Sequence, residues 1–253
     1  MKLHCREYGE GQPLLILHGL FGSSDNWQTL GKRLAEKYHV FLIDQRNHGH
    51  SDHSNDFSYE LMADDLDEFI TDRNLEDVVL VGHSMGGKTA MTYAQLDDSR
   101  LSHLVVVDIG PKEYPMHHDK ILEGMQALDF SIYNTRGKCQ TKLAEYVPSK
   151  SVRQFLLKNL YWKEKGVLGW RINLHVITRE MENIISALEP EQVNIPTLFV
   201  RGEKSNYIVE ADYDSISAQF PDSEIDMIKN VGHWIHAEAP EEFYDILIKF
   251  IKQ

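Results

Sequence analysis

The chain has 253 residues, which suits one large α/β domain or a core that carries a modest insertion. Its 26 lysines and arginines face 39 aspartates and glutamates, and the net charge of −13 argues against nucleic acid or an anionic membrane as a partner, since both need a basic face. The amino-terminal residues show no apolar leader, and no segment is long enough to span a membrane, so we expect a cytoplasmic protein.

Short apolar segments of strand length alternate with helical patterns over most of the chain. Segments that are apolar on both faces are typical of parallel strands covered by helices on both sides, and they predict a mainly parallel sheet flanked by helices. A closing helix is expected at 243–250. The predicted strands are 14–17, 40–43, 78–81, 104–107 and 197–200.

This alternation stops after Pro111 and resumes near Pro196. The intervening residues show helical faces at 152–160 and 181–188, although 170–176 alternates as an extended segment would. We therefore predict an α/β core made of residues 1–110 and 191–253, with a helical cap inserted at residues 111–190.

The most specific motif is G-x-S-x-G, which spans residues 82–86 between a predicted strand and a predicted helix. Small residues on both sides of Ser84 allow a sharp strand-to-helix turn that projects the hydroxyl from the sheet edge. The helix that follows offers the Met85 amide to a developing oxyanion. The pattern alone arises by chance, but the flanking strand and helix make it a strong indication of a serine nucleophile.

A serine hydroxyl needs a base, and the best candidate stands near the carboxyl end. His233 follows a glycine in a loop between a short strand-like segment and the last helix. His236 is the nearest rival, and we expect it to be packed or exposed rather than reactive.

A loop at the end of the first predicted strand, residues 17–22, can supply the second oxyanion donor. We expect the Leu20 amide to be that donor, with Phe21 as the alternative. The Phe21 side chain is expected to line the acyl pocket or to belong to the core. The segment 44–51 is interpreted as a structural turn that supports this loop.

Taken together, these motifs are similar to those of a known family, the small bacterial acyl esterases of the YbfF type and their mitochondrial abhydrolase relatives. The resemblance runs from about residue 3 to the carboxyl end. It implies an α/β-hydrolase fold, a Ser–His–acid triad and hydrolysis of short- to medium-chain acyl esters or thioesters, without a cofactor. It rests on HGLFGS, DQRNHGHS, GHSMGGK, VVVDIGP, WRINL and GHWIHAE.

The acid of the triad is not where this fold usually has it. The segment FVRGEKSNYI, residues 199–208, has no aspartate shortly after its glycine; Lys204 has the wrong charge, and Glu203 stands only one residue past that glycine. Asp108 ends the strand after the nucleophile strand and keeps the order nucleophile, acid, base. We predict Asp108 as the acid and Glu203 as the alternative, although Asp108 could also be a turn residue.

Further substrate-binding candidates are His83, Trp234 and, in the cap, Trp170 and Arg171. The two cap residues could close over the substrate or simply pack within the cap. We expect no metal, because Cys5 and Cys139 are far apart and the pair at 117–118 is better interpreted as a solvated loop.

Two alternatives stay open. A C–C bond hydrolase or a menaquinone-pathway-type lyase would use the same fold, but such enzymes generally keep the later aspartate that is missing here. A ligand-binding protein without catalysis is the other alternative, and the intact nucleophile, base and oxyanion loop argue against it.

Overall fold

The computed structural model describes residues 1–252, which are built around a seven-stranded sheet. The strand order is β1-β3-β2-β4-β5-β8-β9, and every neighbouring pair is parallel except β1 with β3. A separate antiparallel hairpin pairs β6 with β7. The strands are β1 His4–Tyr8, β2 Pro13–Leu17, β3 His39–Asp44, β4 Val78–His83, β5 Leu101–Val107, β6 Leu160–Glu164, β7 Val167–Trp170, β8 Thr197–Gly202 and β9 Ser223–Ile228.

Helices cover both faces of this sheet. One apolar cluster joins Phe41 of the sheet to Leu66 and Met91, and the cluster on the opposite face contains Trp27 and Phe243. The helices are α1 Gln28–Leu34, α2 Tyr59–Asp72, α3 Met85–Leu96, α4 Asp119–Gln126, α5 Arg136–Leu143, α6 Lys150–Leu157, α7 Leu174–Arg179, α8 Met181–Ile185, α9 Tyr213–Gln219, α10 Ile235–Glu238 and α11 Pro240–Phe250.

All the strands predicted from apolar runs are present, because each of them lies in the sheet interior and is buried on both sides. Strand β1 was not predicted. It lies at the sheet edge, its residues are half-buried or exposed, and its sequence HCREY therefore carries no apolar run.

The chain between β5 and β8 contains α4 to α8 and the β6–β7 hairpin, and it forms its own apolar cluster, which also includes Phe21 and Met85 of the remaining chain. The expected extended segment at 170–176 is correct only up to Trp170, since Leu174–Arg179 is helical. Within residues 1–252, no helix has both the length and the apolar character needed to cross a membrane.

Candidate active site

Ser84 occupies a strained turn between β4 and α3. Its backbone has φ 52° and ψ −119°, a left-handed conformation that non-glycine residues adopt at a cost. The turn is possible because its flanking glycines have no side chain: a Cβ at Gly82 would lie 2.2 Å from the Gly86 carbonyl oxygen, and one at Gly86 would lie 2.5 Å from the Leu17 carbonyl oxygen. The sequence motif therefore has the strand-turn-helix geometry that a nucleophile requires.

Asp108 and His233 are brought together from distant parts of the chain. Asp108 follows β5 directly and is fully buried, and its Oδ2 lies 2.7 Å from His233 Nδ1. The Gly202 amide donates to Oδ1 at 3.0 Å, and the Ser205 hydroxyl donates to Oδ2. An acceptor-only carboxylate at this distance places a proton on His233 Nδ1, the arrangement that a His–acid pair of a catalytic triad requires.

Glu203, the alternative acid, is directed elsewhere. Its carboxylate is exposed and accepts a hydrogen bond from the Asn230 amide at 2.7 Å. It therefore stabilises the loop that carries His233 without contacting the imidazole.

Ser84 and His233 line one cleft of about 370 Å³. Within residues 1–252, His233 is hydrogen-bonded to Asp108, but no hydrogen bond is made by the Ser84 hydroxyl. In many hydrolases the bond between nucleophile and base tightens only when substrate is bound.

The two candidate donors in the predicted oxyanion loop differ in whether their amide already has an acceptor. The Phe21 amide donates to His48 Nε2 at 3.3 Å, whereas the Leu20 amide has no acceptor among residues 1–252. Met85 is the first residue of α3, so its amide has no partner within the helix. The amides of Leu20 and Met85 therefore remain the candidate donors to a substrate oxygen.

Buried neutral histidines hold this loop in place. Burial lowers the pKa of His48 to about 3 and also lowers the pKa of His18, so both rings are neutral near pH 7. His48 Nδ1 donates to the Arg46 carbonyl at 2.9 Å, and His18 Nε2 accepts from the Gln45 amide at 3.1 Å. The segment 44–51 therefore supports the oxyanion loop, as expected from the sequence.

Two further histidines surround His233. His83 Nε2 donates to the His233 carbonyl oxygen at 2.9 Å, and burial holds the pKa of His83 well below its usual value. His236 stacks on Trp27 with ring centroids 4.1 Å apart, and burial lowers its pKa to about 3. His236 is therefore a packed side chain, as expected.

The predicted substrate-binding residues divide into two groups. Phe21, His83 and Trp234 line the cleft. Trp170 and Arg171 do not: the Trp170 indole donates to the Met125 carbonyl at 3.3 Å, and the Arg171 guanidinium lies 4.6 Å from the centre of the Tyr161 ring and 2.9 Å from His50 Nδ1. Both residues hold the 111–190 segment together or attach it to the core.

Other cleft residues were not identified from the sequence. Tyr207 and the apolar face of α6 line the cleft, and so does His118, which was expected in a solvated loop. His118 is half-buried, it contacts the edge of Phe21 at a centroid distance of 6.2 Å, and burial lowers its pKa to about 4. The sequence showed an apolar helical face at 152–156, but it did not show that this face lines the cleft. No group of His, Cys, Asp or Glu in residues 1–252 could hold a metal ion.

Comparison with known proteins places the chain among α/β hydrolases. A family model described as the alpha/beta hydrolase fold matches residues 12–240. The chain is 38% identical over 253 residues to sn-1-specific diacylglycerol lipase ABHD11 of Danio rerio, covering 96% of this chain and 80% of that protein. It is 34% identical over 247 residues to esterase YbfF of Escherichia coli, covering 95% of each. A solved marine microorganism esterase matches with 42% identity and a TM-score of 0.96, over 98% of this chain and 99% of that one.

Proposed function

The chain belongs to the α/β-hydrolase family and is a carboxylic ester hydrolase, and from this premise we propose that it cleaves short- to medium-chain acyl esters or thioesters through an acyl-enzyme on Ser84. The observation that carries the proposal is the 2.7 Å contact between Asp108 Oδ2 and His233 Nδ1 at the cleft that Ser84 also lines. This pairing supports a triad of Ser84, His233 and Asp108.

In the proposed mechanism, Ser84 Oγ attacks the acyl carbonyl while His233 Nε2 takes the hydroxyl proton. The oxyanion accepts hydrogen bonds from the amides of Leu20 and Met85. His233 then gives its proton to the leaving alcohol or thiol, and the acyl group stays on Ser84. A water that has lost its proton to His233 attacks the acyl-enzyme, and the carboxylic acid leaves as His233 returns the proton to Ser84.

The cleft supports an apolar substrate of modest size. A volume of about 370 Å³ lies at the small end of the range for ligand pockets. Its apolar lining includes Phe21, Ile121, Val152, Phe155 and Trp234. These residues suit an acyl chain, and the carboxylate residue that also lines the cleft, Glu238, accepts hydrogen bonds from the Gly232 and Trp234 amides.

We propose that residues 111–190 act as the cap over this cleft. Both ends of the segment are held by Lys88 of α3, whose buried ammonium donates to the Lys112 carbonyl at 2.9 Å and to the Ser186 carbonyl. The Asn159 side chain donates to the Phe21 carbonyl at 2.7 Å and so connects the cap directly to the oxyanion loop. The cytoplasmic location expected from the sequence stays a prediction.

Hydrolysis of p-nitrophenyl acetate, butyrate and longer esters tests the proposal, together with labelling by a fluorophosphonate. We expect turnover that is highest for the shorter chains and label on Ser84, with both lost in Ser84→Ala. Multiple turnover separates an esterase from a ligand-binding protein. Absence of turnover with every ester, combined with unlabelled Ser84, would remove the esterase proposal and leave the C–C hydrolase alternative.

A further inference from the structure

The ring of Tyr207 lies flat against the imidazole of His233. The two centroids are 4.0 Å apart and the ring planes differ by 19°. Asp108 contacts the same imidazole at its Nδ1 edge, so His233 is held both at an edge and on a face. Tyr207 comes from the segment after β8 that has no aspartate of its own.

The Tyr207 hydroxyl reaches across to the cap. It lies 2.6 Å from His117 Nε2, and His117 Nδ1 lies 2.8 Å from the Pro115 carbonyl oxygen. A carbonyl can only accept, so Nδ1 carries a proton, and in the neutral imidazole Nε2 then accepts from the tyrosine hydroxyl. Burial raises the pKa of Tyr207 to about 12, which keeps this hydroxyl protonated at any working pH.

The backbone of Tyr207 is also fixed at the start of the cap. The Tyr114 hydroxyl donates to the Tyr207 carbonyl oxygen at 2.8 Å and accepts from the Gly110 amide at 2.7 Å. The Tyr207 amide in turn donates to Ser205 Oγ at 3.3 Å. The ring that covers His233 therefore has little freedom to shift unless residues 110–117 move.

Tyr207 also borders two cavities. The cleft that Ser84 lines is bordered by His117, Tyr207 and His233, and the same side chains border a second cleft of about 350 Å³ that includes Lys204. The hydrogen-bonded pair of His117 and Tyr207 thus lines both spaces.

We propose that Tyr207 is a positioning residue that fixes the plane of His233 and couples it to the position of the cap through His117. The inference rests on the proposed role of His233 as the base. The electron-rich face of the ring stabilises the imidazolium that forms during acyl transfer. The hydroxyl bond makes that arrangement depend on a cap residue, so the base is best oriented when the cap is in place.

Variants can separate the ring from the hydroxyl. Tyr207→Leu and Tyr207→Met remove the aromatic face together with the hydroxyl, and we expect kcat to fall about tenfold, with KM raised several-fold as for loss of the hydroxyl alone. The midpoint of the acid side of the kcat/KM profile should move down by about half a pH unit, since the imidazolium loses its aromatic partner. Fluorophosphonate labelling of Ser84 should slow by a similar factor. If Tyr207→Leu folds poorly, Tyr207→Met serves as the test, because the flexible methionine side chain fills the space left by the ring.

Tyr207→Phe keeps the ring and removes only the bond to the cap. We expect kcat within about threefold of wild type and a KM raised several-fold, and His117→Ala should have the same effect. The double variant should then be no worse than either single one, because both remove one interaction. Tyr213→Phe is the matched control: its hydroxyl contacts Arg201 at 3.2 Å, away from the cleft, and its kinetics should equal wild type.

Wild-type kcat and an unshifted pH profile in folded Tyr207→Leu or Tyr207→Met would overturn the positioning role. Additive effects of Tyr207→Phe and His117→Ala would overturn the coupling to the cap. Full activity in Ser84→Ala would instead overturn the proposed function, so the two failures can be told apart.

Discussion

The two sides of the cleft are held in different ways. The nucleophile side, residues 18–22, 44–51 and 84–87, is fixed by buried neutral histidines and glycine contacts in the core, with further bonds to the cap from Asn159 and Arg171. The base side, residues 108, 202–207 and 230–236, is fixed by hydrogen bonds between loops far apart in the chain and by a tyrosine bonded to the cap. Because of this difference, changes in the histidines and glycines that support the nucleophile side should cost stability and rate together, whereas changes on the base side should cost mainly rate.

The same difference explains what the sequence could predict. Ser84, the predicted oxyanion loop and the turn at 44–51 are contiguous motifs whose geometry follows from local glycines and strand ends, so the amino-acid order alone is enough to predict that geometry. Asp108 was predicted from its place at a strand end and from the order nucleophile, acid, base, since nothing local pairs it with His233.

Tyr207, His118 and the cleft-facing side of α6 could not be identified from the sequence. The sequence shows that a helix has an apolar face or that a loop contains a tyrosine. Whether those side chains face the cleft depends on how the cap packs on the core, and that packing involves contacts between residues about a hundred positions apart. For Trp170 and Arg171 the motif left both closure over the substrate and packing within the cap open, and their contacts lie within the cap and at its junction with the core.

The largest effect is expected at the nucleophile itself. Ser84→Ala should lower kcat by roughly 10⁵-fold or more, since the remaining groups have no atom to acylate. The variant keeps the β4–α3 turn, so thermal unfolding should be unchanged. Steady-state hydrolysis of p-nitrophenyl butyrate, with a melting curve for each protein, checks both points; retained turnover would contradict acylation at Ser84.

Removing His48 should affect stability and rate together. His48→Leu leaves the Phe21 amide and the Arg46 carbonyl without their partner, which should lower the free energy of unfolding by roughly 1–3 kcal/mol. The oxyanion loop loses its support, so we expect kcat/KM to fall roughly tenfold. Urea unfolding and ester hydrolysis measure the two effects. A loss of rate at unchanged stability would show that the two sides do not differ as described.

Acid should destabilise the fold through its buried neutral histidines, and His48 is the example on the nucleophile side. The pKa of His48 is about 3 in the fold against 6.5 when unfolded, so its stabilising contribution is complete above pH 6.5 and declines as the pH falls toward 3. At pH 5 the free energy of unfolding is lower by about 2 kcal/mol, because pH 5 lies about 1.5 units below the pKa of the unfolded histidine. Urea unfolding at pH 7 and pH 5 measures the loss, which should shrink in His48→Leu. Equal stability at both pH values would argue against neutral buried histidines.

The smallest effect is expected in the cap, at Arg171. Arg171→Ala removes the contacts with His50 and the Tyr161 ring, which should cost about 0.5–1 kcal/mol of stability. Because Arg171 does not line the cleft, kcat and KM should stay within about twofold of wild type. A KM raised tenfold would instead place Arg171 at the substrate.

The identity of the acid is tested most directly by comparing kcat/KM for Asp108→Asn and Glu203→Gln. The asparagine keeps the shape of the buried side chain but no longer holds the His233 tautomer, so activity should fall by about 10³–10⁴-fold with folding intact. Glu203→Gln should remain within about twofold of wild type, since its carboxylate contacts only the Asn230 amide. Near-normal turnover in Asp108→Asn, with the large loss in Glu203→Gln, would contradict the proposed triad.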